Sequence, residues 1–250
     1  MGMDRKRLIS GLVLFLAAAG STMLRAQTSP QAAPIVHAVE NRYHNAKTLK
    51  AIFLERYSSA RDSLQVESGT VYFSRPGRMR WEYEAPQTKL FVADGKTVWF
   101  FVPADHTVTR APMKESTDWR TPLALLTGKT KLSNLCDRID IDSAAAPATP
   151  AHVTLRCLPR GEGKKSASAS SGAVNGDASL AGPDHPFDQV LLEVDRETGE
   201  LADVRVLQPG GIELDFRFGN WVENLPLEES LFHFQPPSGV AIVDQAAALP

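Results

Sequence analysis

The chain has 250 residues, 43% apolar and 22% charged, a globular balance and a length for one or two domains. Its 17 Gly and 17 Pro show no period, so collagen-like and repeat-array classes are excluded along with wholesale disorder. The formal net charge is −2 and no basic run occurs beyond the first seven residues, so the electrostatic footprint that nucleic acid or an anionic membrane surface requires is missing.

The first 26 residues read as a secretory signal peptide: a basic stretch at Arg5, Lys6 and Arg7, an apolar run from Leu8 to Ala19, and a small residue, Ala26, before Gln27. An apolar run of that length spans about 18 Å as a helix, short of the roughly 30 Å hydrocarbon core of a bilayer. Removing the segment leaves 23 of the 27 basic and 28 of the 29 acidic residues, a net charge of −5. The expected compartment is the periplasm. The expected mature chain, 27–250, is a single domain.

After a flexible start at Gln27 to Pro34, Ile35, Val36, Val39 and Tyr43 recur at helical spacing and predict one amphipathic helix. From Leu49 onward the period is two. Strands are expected at Leu49–Tyr57, Leu64–Phe73, Arg78–Tyr83, Lys89–Ala93, Thr97–Val102 and His106–Arg110. Asp94-Gly95 and Arg75-Pro76-Gly77-Arg78 supply turn chemistry between them. Ala111 to Lys129 interrupts the series, with Thr121 and Pro122 starting a short helix that carries Leu123, Leu125 and Leu126.

Further strands are expected at Leu132–Ile139, His152–Leu158, Phe187–Asp195, Leu201–Leu207, Ile212–Gly219 and Leu231–Phe234. Arg160 to Pro186 is rich in Gly, Ser, Ala and Asp without apolar periodicity, and is expected to be a disordered hairpin excursion. Eleven or twelve strands are too many for one flat sheet, so the sheet must curl.

Catalytic chemistry has no foothold. No metalloprotease, P-loop, dinucleotide or nucleophile-elbow motif occurs, and the six His lack metal-ligand spacing. No catalytic residue, metal or cofactor is assigned. Glu82 and Glu84 share a strand face and read as its solvated side. Cys136 and Cys157, the two cysteines of the chain, form a disulfide candidate in an exported protein, with two separate buried thiols as the alternative. Neither follows the leader, so no thiol at the mature N-terminus is available for acylation.

The apolar pattern is more informative. Met79, Trp81 and Tyr83 share one strand face opposite Arg78, Arg80 and Glu82, while Trp99 and Phe101 recur two apart on another strand. Two architectures fit: a plain sandwich core, or a curved sheet whose apolar inner face is covered by the N-terminal helix and the Leu123–Leu126 helix and encloses a cavity. Arg75 shares strand parity with Gly69, Val71 and Phe73, which would aim its guanidinium inward. It then needs backbone carbonyls as acceptors, or else it swings to solvent at the turn.

Four ordered blocks resemble the LolA-type periplasmic outer-membrane lipoprotein carriers: Gly69 to Tyr83 (GTVYFSRPGRMRWEY), Val92 to Pro103 (VADGKTVWFFVP), Thr121 to Leu126 (TPLALL) and Phe232 to Asp244 (FHFQPPSGVAIVD). The resemblance implies a mainly β fold, an unclosed antiparallel β-barrel of about 11 strands with a helical lid. It implies a carrier that takes lipoprotein acyl chains from an inner-membrane ABC transporter and delivers them to an outer-membrane receptor; a shuttle has reason to be a monomer. It implies that Arg75 locks the lid through backbone contacts. The acyl-chain cavity is expected to be lined by Val71, Phe73, Met79, Trp81, Tyr83, Trp99, Phe101, Leu123, Leu125 and Leu126, with Met79 at the mouth where the family often has an aromatic residue. A lipid- or glycolipid-binding sensor of the same fold is the alternative, and a hydrolase has no nucleophile and base to nominate.

Overall fold

A computed structural model describes residues 27–59, 63–113, 126–127, 130–159 and 187–244. The expected leader, Leu123, Leu125 and the expected excursion at 160–186 lie outside them.

In chain order the elements are β1 (Gln27–Thr28), α1 (Ala33–Asn45), β2 (Thr48–Ser58), β3 (Gln65–Ser74), β4 (Arg78–Ala85), β5 (Lys89–Ala93), β6 (Thr97–Val102) and β7 (Thr107–Pro112). After them come α2 (Leu132–Leu135), β8 (Cys136–Ile141), β9 (His152–Pro159), β10 (Gln189–Asp195), β11 (Leu201–Gln208), β12 (Ile212–Glu223) and β13 (Ala241–Asp244). The described strands form one 13-stranded sheet in the order β1-β8-β9-β10-β11-β12-β2-β3-β4-β5-β6-β7-β13. Its end strands do not pair with each other, so the barrel is unclosed. All pairings are antiparallel except the two at the edges, β1 on β8 and β13 on β7.

Three expectations change. Leu231–Phe234 is not a strand, because Glu229–Phe232 forms a 3-10 turn. Leu132–Leu135 is a helical turn that precedes β8, so that strand begins at Cys136. The start at Gln27 and the tail at Ala241 are recruited as edge strands, which local sequence could not announce because a two- or four-residue strand exists only through its partner.

Alternation of burial along β3 and β4 fixes which face curls inward. Val71, Phe73, Met79, Trp81 and Tyr83 are buried, while Arg78, Arg80 and Glu82 stand on the convex side. Gly69 lies at a register shift in β3, where an added Cβ would stand 1.8 Å from the Glu82 carbonyl oxygen; only glycine lets β4 approach there. Helix α1 lays Ile35, Val36, Val39 and Tyr43 into the concave core, as its spacing predicts.

The end of α1 is bolted to the β10–β11 and β12 side. The backbone N–H of Leu201 donates to the Tyr43 hydroxyl at 2.8 Å, and Arg42 Nη2 pairs with Glu200 and Glu223, each at 2.7 Å. Gly199, at φ +68°, brings the β10–β11 turn so close that a Cβ would sit 2.6 Å from the Ala38 carbonyl carbon. Burial raises the pKa of Tyr43 well above the usual phenol range, keeping it neutral as an acceptor.

Candidate functional site

The concave face is aromatic. Trp81 sits at its centre with edge-on neighbours Phe53, Phe73, Phe216 and Phe218, ring centroids 4.8, 6.1, 5.7 and 6.2 Å away. β3–β4 pairing puts Val71 opposite Trp81 and Phe73 opposite Met79, and β4–β5 pairing adds Phe91 opposite Trp81. One polar pair penetrates this surface: the Tyr83 hydroxyl donates to Glu55 Oε2 at 2.7 Å, both side chains buried. Sequence reasoning missed Glu55, although its parity with Leu49, Ala51 and Phe53 on β2 was legible.

Strand β6 runs the other way round from the expectation. Val98 joins the concave core and Phe100 packs against it, whereas Trp99 and Phe101 lie on the convex face against Phe234, with centroids 5.7 Å apart in each case. This corrects their assignment to the cavity lining. Both faces of β6 are apolar because both are covered, so alternation carries no sign there. The convex cover is the tail: Phe232 is buried, Arg80 Nη1 donates to the Leu231 carbonyl at 3.1 Å, and Arg110 holds Asp244 through two bonds of 2.7 and 3.0 Å.

The connection from β7 to β8 joins strands near opposite ends of the sheet order. Of it, Leu126 and Thr127 are fully buried. Leu126 belongs to the concave core, as its place in the expected lid requires. The Gly77 N–H of the β3–β4 turn donates to the Thr127 carbonyl at 3.1 Å, so this turn grips the connection by backbone. At its far end Leu132 and Leu135 enter or pack on the core, and Cys136 is bonded to Cys157 with Cα atoms 5.4 Å apart. The two sulfurs thus tie the foot of the connection to β9.

Arg75 occupies the gap between these covers. Its backbone N–H donates to the Lys47 carbonyl at 3.1 Å, and its side chain lines a cavity of about 20 Å³ with residues of α1 and of Thr130–Leu132. Among the described residues its buried Nε and Nη2 have no hydrogen-bond partner, and burial lowers its pKa from the ordinary guanidinium value. The side chain is therefore inward, as parity predicts, yet these two donors make no carbonyl contact of the kind expected.

The chemistry available is containment. Trp81, Phe73 and Phe91 are each no more than 2% exposed, so a ligand reaches this face only if an element packed on it moves. Among the described residues no group of three or more His, Cys, Asp or Glu is placed to hold a metal ion.

The profile of the family described as outer membrane lipoprotein carrier protein LolA matches residues 44–147, from the end of α1 through β8. The outer-membrane lipoprotein carrier protein of Nitrosospira multiformis is 26% identical over 225 residues, 87% of this chain and 92% of its own. The family model thus covers residues 44–147, and relatives named as carriers match most of the chain. Another protein of that name, from Dechloromonas aromatica, is 28% identical over 202 residues, 80% of this chain and 83% of its own. A crystal structure of an uncharacterized conserved protein from Thermus thermophilus superposes with a TM-score of 0.49 at 12% identity, covering 86% of this chain and 99% of that one.

Proposed function

We propose that this protein is a periplasmic carrier of lipoproteins that holds their acyl chains on the concave face and brings them to the outer membrane. The observation that carries the reading is an aromatic face, centred on Trp81, buried beneath α1 and Leu126, with the buried guanidinium of Arg75 at their edge. The name and the length of the match with the lipoprotein carrier relatives support it. An inner-membrane ABC transporter supplies the cargo and an outer-membrane receptor accepts it; residues 1–26 direct export and are removed, leaving one carrier domain. The reading assigns the protein no catalytic step.

Physics explains why such cargo needs a carrier. Three acyl chains hold roughly 45 methylenes, and their exposure at about 0.8 kcal/mol each costs on the order of 35 kcal/mol. Non-covalent affinity saturates near about −20 kcal/mol, so a releasable complex must offset part of the gross burial. Opening the covers supplies that offset, because uncovering Leu126 and Val39 and parting Arg75 from its surroundings all penalise the loaded state. Val71, Phe73, Met79, Trp81, Tyr83, Leu123, Leu125 and Leu126 are the residues proposed to contact the chains.

The mature protein, added to spheroplasts, is expected to release lipoprotein into solution as a one-to-one complex seen by native mass spectrometry. Arg75→Leu is expected to load but to retain its cargo in the presence of receptor. Bound phospholipid or glycolipid without released lipoprotein would instead establish the sensor, and unchanged transfer by Arg75→Leu would remove Arg75 from the lock.

A further inference from the structure

The concave face changes character along its strands. Pairing across β2, β3, β4 and β5 lays its inward residues out in rows, and the rows that begin at Leu49 and at Ala51 are apolar on all four strands. The third row runs Phe53, Gly69, Tyr83 and Lys89, and in the fourth Glu55 stands opposite Glu67. Two bonds tie the polar groups together: the Tyr83 hydroxyl donates to Glu55 Oε2 at 2.7 Å, and Lys89 Nζ pairs with the Glu67 carboxylate while lying 6.0 Å from the centre of the Tyr83 ring. Four polar side chains from four strands thus close one end of the aromatic surface, Glu55 and Tyr83 being buried and the Glu67–Lys89 pair mostly so.

We propose that this block, Glu55 with Tyr83 and Glu67 with Lys89, is a stop that sets the length of acyl chain the concave face accepts. The inference rests on the carrier reading, which puts acyl chains on this face, and adds which chains fit. Along β2 the span from Leu49 to Glu55 is about 20 Å at about 3.3 Å per residue. An extended hydrocarbon rises about 1.25 Å per carbon, so about 16 carbons lie along it before the block is met. Each methylene laid on the apolar rows leaves water and tightens binding up to about fourfold. One pushed further has to part a carboxylate or an ammonium from a partner held away from water, and an orphaned charge there costs more than a methylene gains. The chain therefore stops where the rows turn polar.

The test titrates the mature chain with N-acyl-cysteinyl peptides of one sequence, their saturated chains running from about 12 to about 20 carbons, in competition with a fluorescent acyl probe. In the wild type Kd is expected to fall about two- to fourfold with each added methylene up to about 16 carbons and to level off beyond. Glu55→Leu combined with Tyr83→Phe removes both ends of one bond together. It is expected to carry the gain on to the longest chains, binding them at least about fivefold more tightly than the wild type does. A wild-type gain that continues unbroken to the longest chain, or a plateau at the same length in the double variant, overturns the stop and leaves the carrier reading in place. Absence of binding at every length overturns the carrier reading and the stop with it. The wild-type series decides whether or not the double variant folds, and Glu67→Leu with Lys89→Met repeats the comparison on the neighbouring pair.

Discussion

Asp203 and Asp215 stand on the convex face of β11 and β12, each opposite an arginine of the other strand: Asp203 pairs in register with Arg217 and Arg205 with Asp215. The nearest nitrogen–oxygen distances, 3.4 to 3.7 Å, are too long to satisfy both carboxyls, and the Oδ1 atoms of the two acids are buried without other donors among the described residues. Burial, then the hydrogen bond and the repulsion from Asp215, push the Asp203 pKa up to about 7 from an ordinary 3.8. The folded state therefore keeps a proton that the unfolded chain has lost between those values, and stability from this group falls as pH rises through that window. Asp203→Asn, which donates to Asp215 at any pH, should gain on the wild type as pH rises from about 4 to about 7 and hold a constant advantage above. Urea midpoints at several pH values check it; a pH-independent difference would remove Asp203 as the source.

Whole strands show how the same residue type is put to two uses. Trp81 on β4 is fully buried among concave aromatics, whereas Trp99 on β6 is half-buried between Phe234 and the Arg110 guanidinium, 5.6 Å from its ring. Trp81→Ala should cost about 3–5 kcal/mol through the cavity it leaves. Trp99→Ala should cost about 1–2 kcal/mol, because the tail can settle onto the strand. Binding of an acyl probe separates the faces further: it should weaken in Trp81→Ala and stay unchanged in Trp99→Ala. Equal loss of probe binding in both would put Trp99 back on the concave side.

Across the molecule, stability and movement pull on the same connection. An open sheet has two unpartnered ends, and the chain between β7 and β8 runs from near one to near the other, anchored by Gly77 at one contact and by Cys136 at the last. The Cys136–Cys157 bond closes a loop with a sequence separation of 21, for which chain entropy gives about 3 kcal/mol. Replacing both cysteines with alanine should lower the thermal midpoint by roughly 6–12 °C, since about 1 kcal/mol shifts a chain of this size by about 2–4 °C. A shift within about 1 °C would mean that packing of Leu132 and Leu135 alone fixes the foot.

Local periodicity alone determined the mainly β character, the helix at Ile35–Tyr43 and the inward face of β3 and β4, while leaving Arg75 either inward or turned to solvent. In each of these one face is covered and the other wet, so alternation reports burial directly. The blocks from Gly69 to Pro103 likewise carry the resemblance to the lipoprotein carriers in sequence alone. Tertiary structure decided the rest. Strand β6 is covered on both sides and its pattern has no sign, so only pairing placed Val98 inward and Trp99 outward. β1 and β13 are strands only because β8 and β7 offer them an edge, and Glu40 meets Ser133 across 93 positions of sequence. Periodicity records what each residue does with water; which residues share a cavity depends on how far the sheet curls, and that is set by contacts no local window contains.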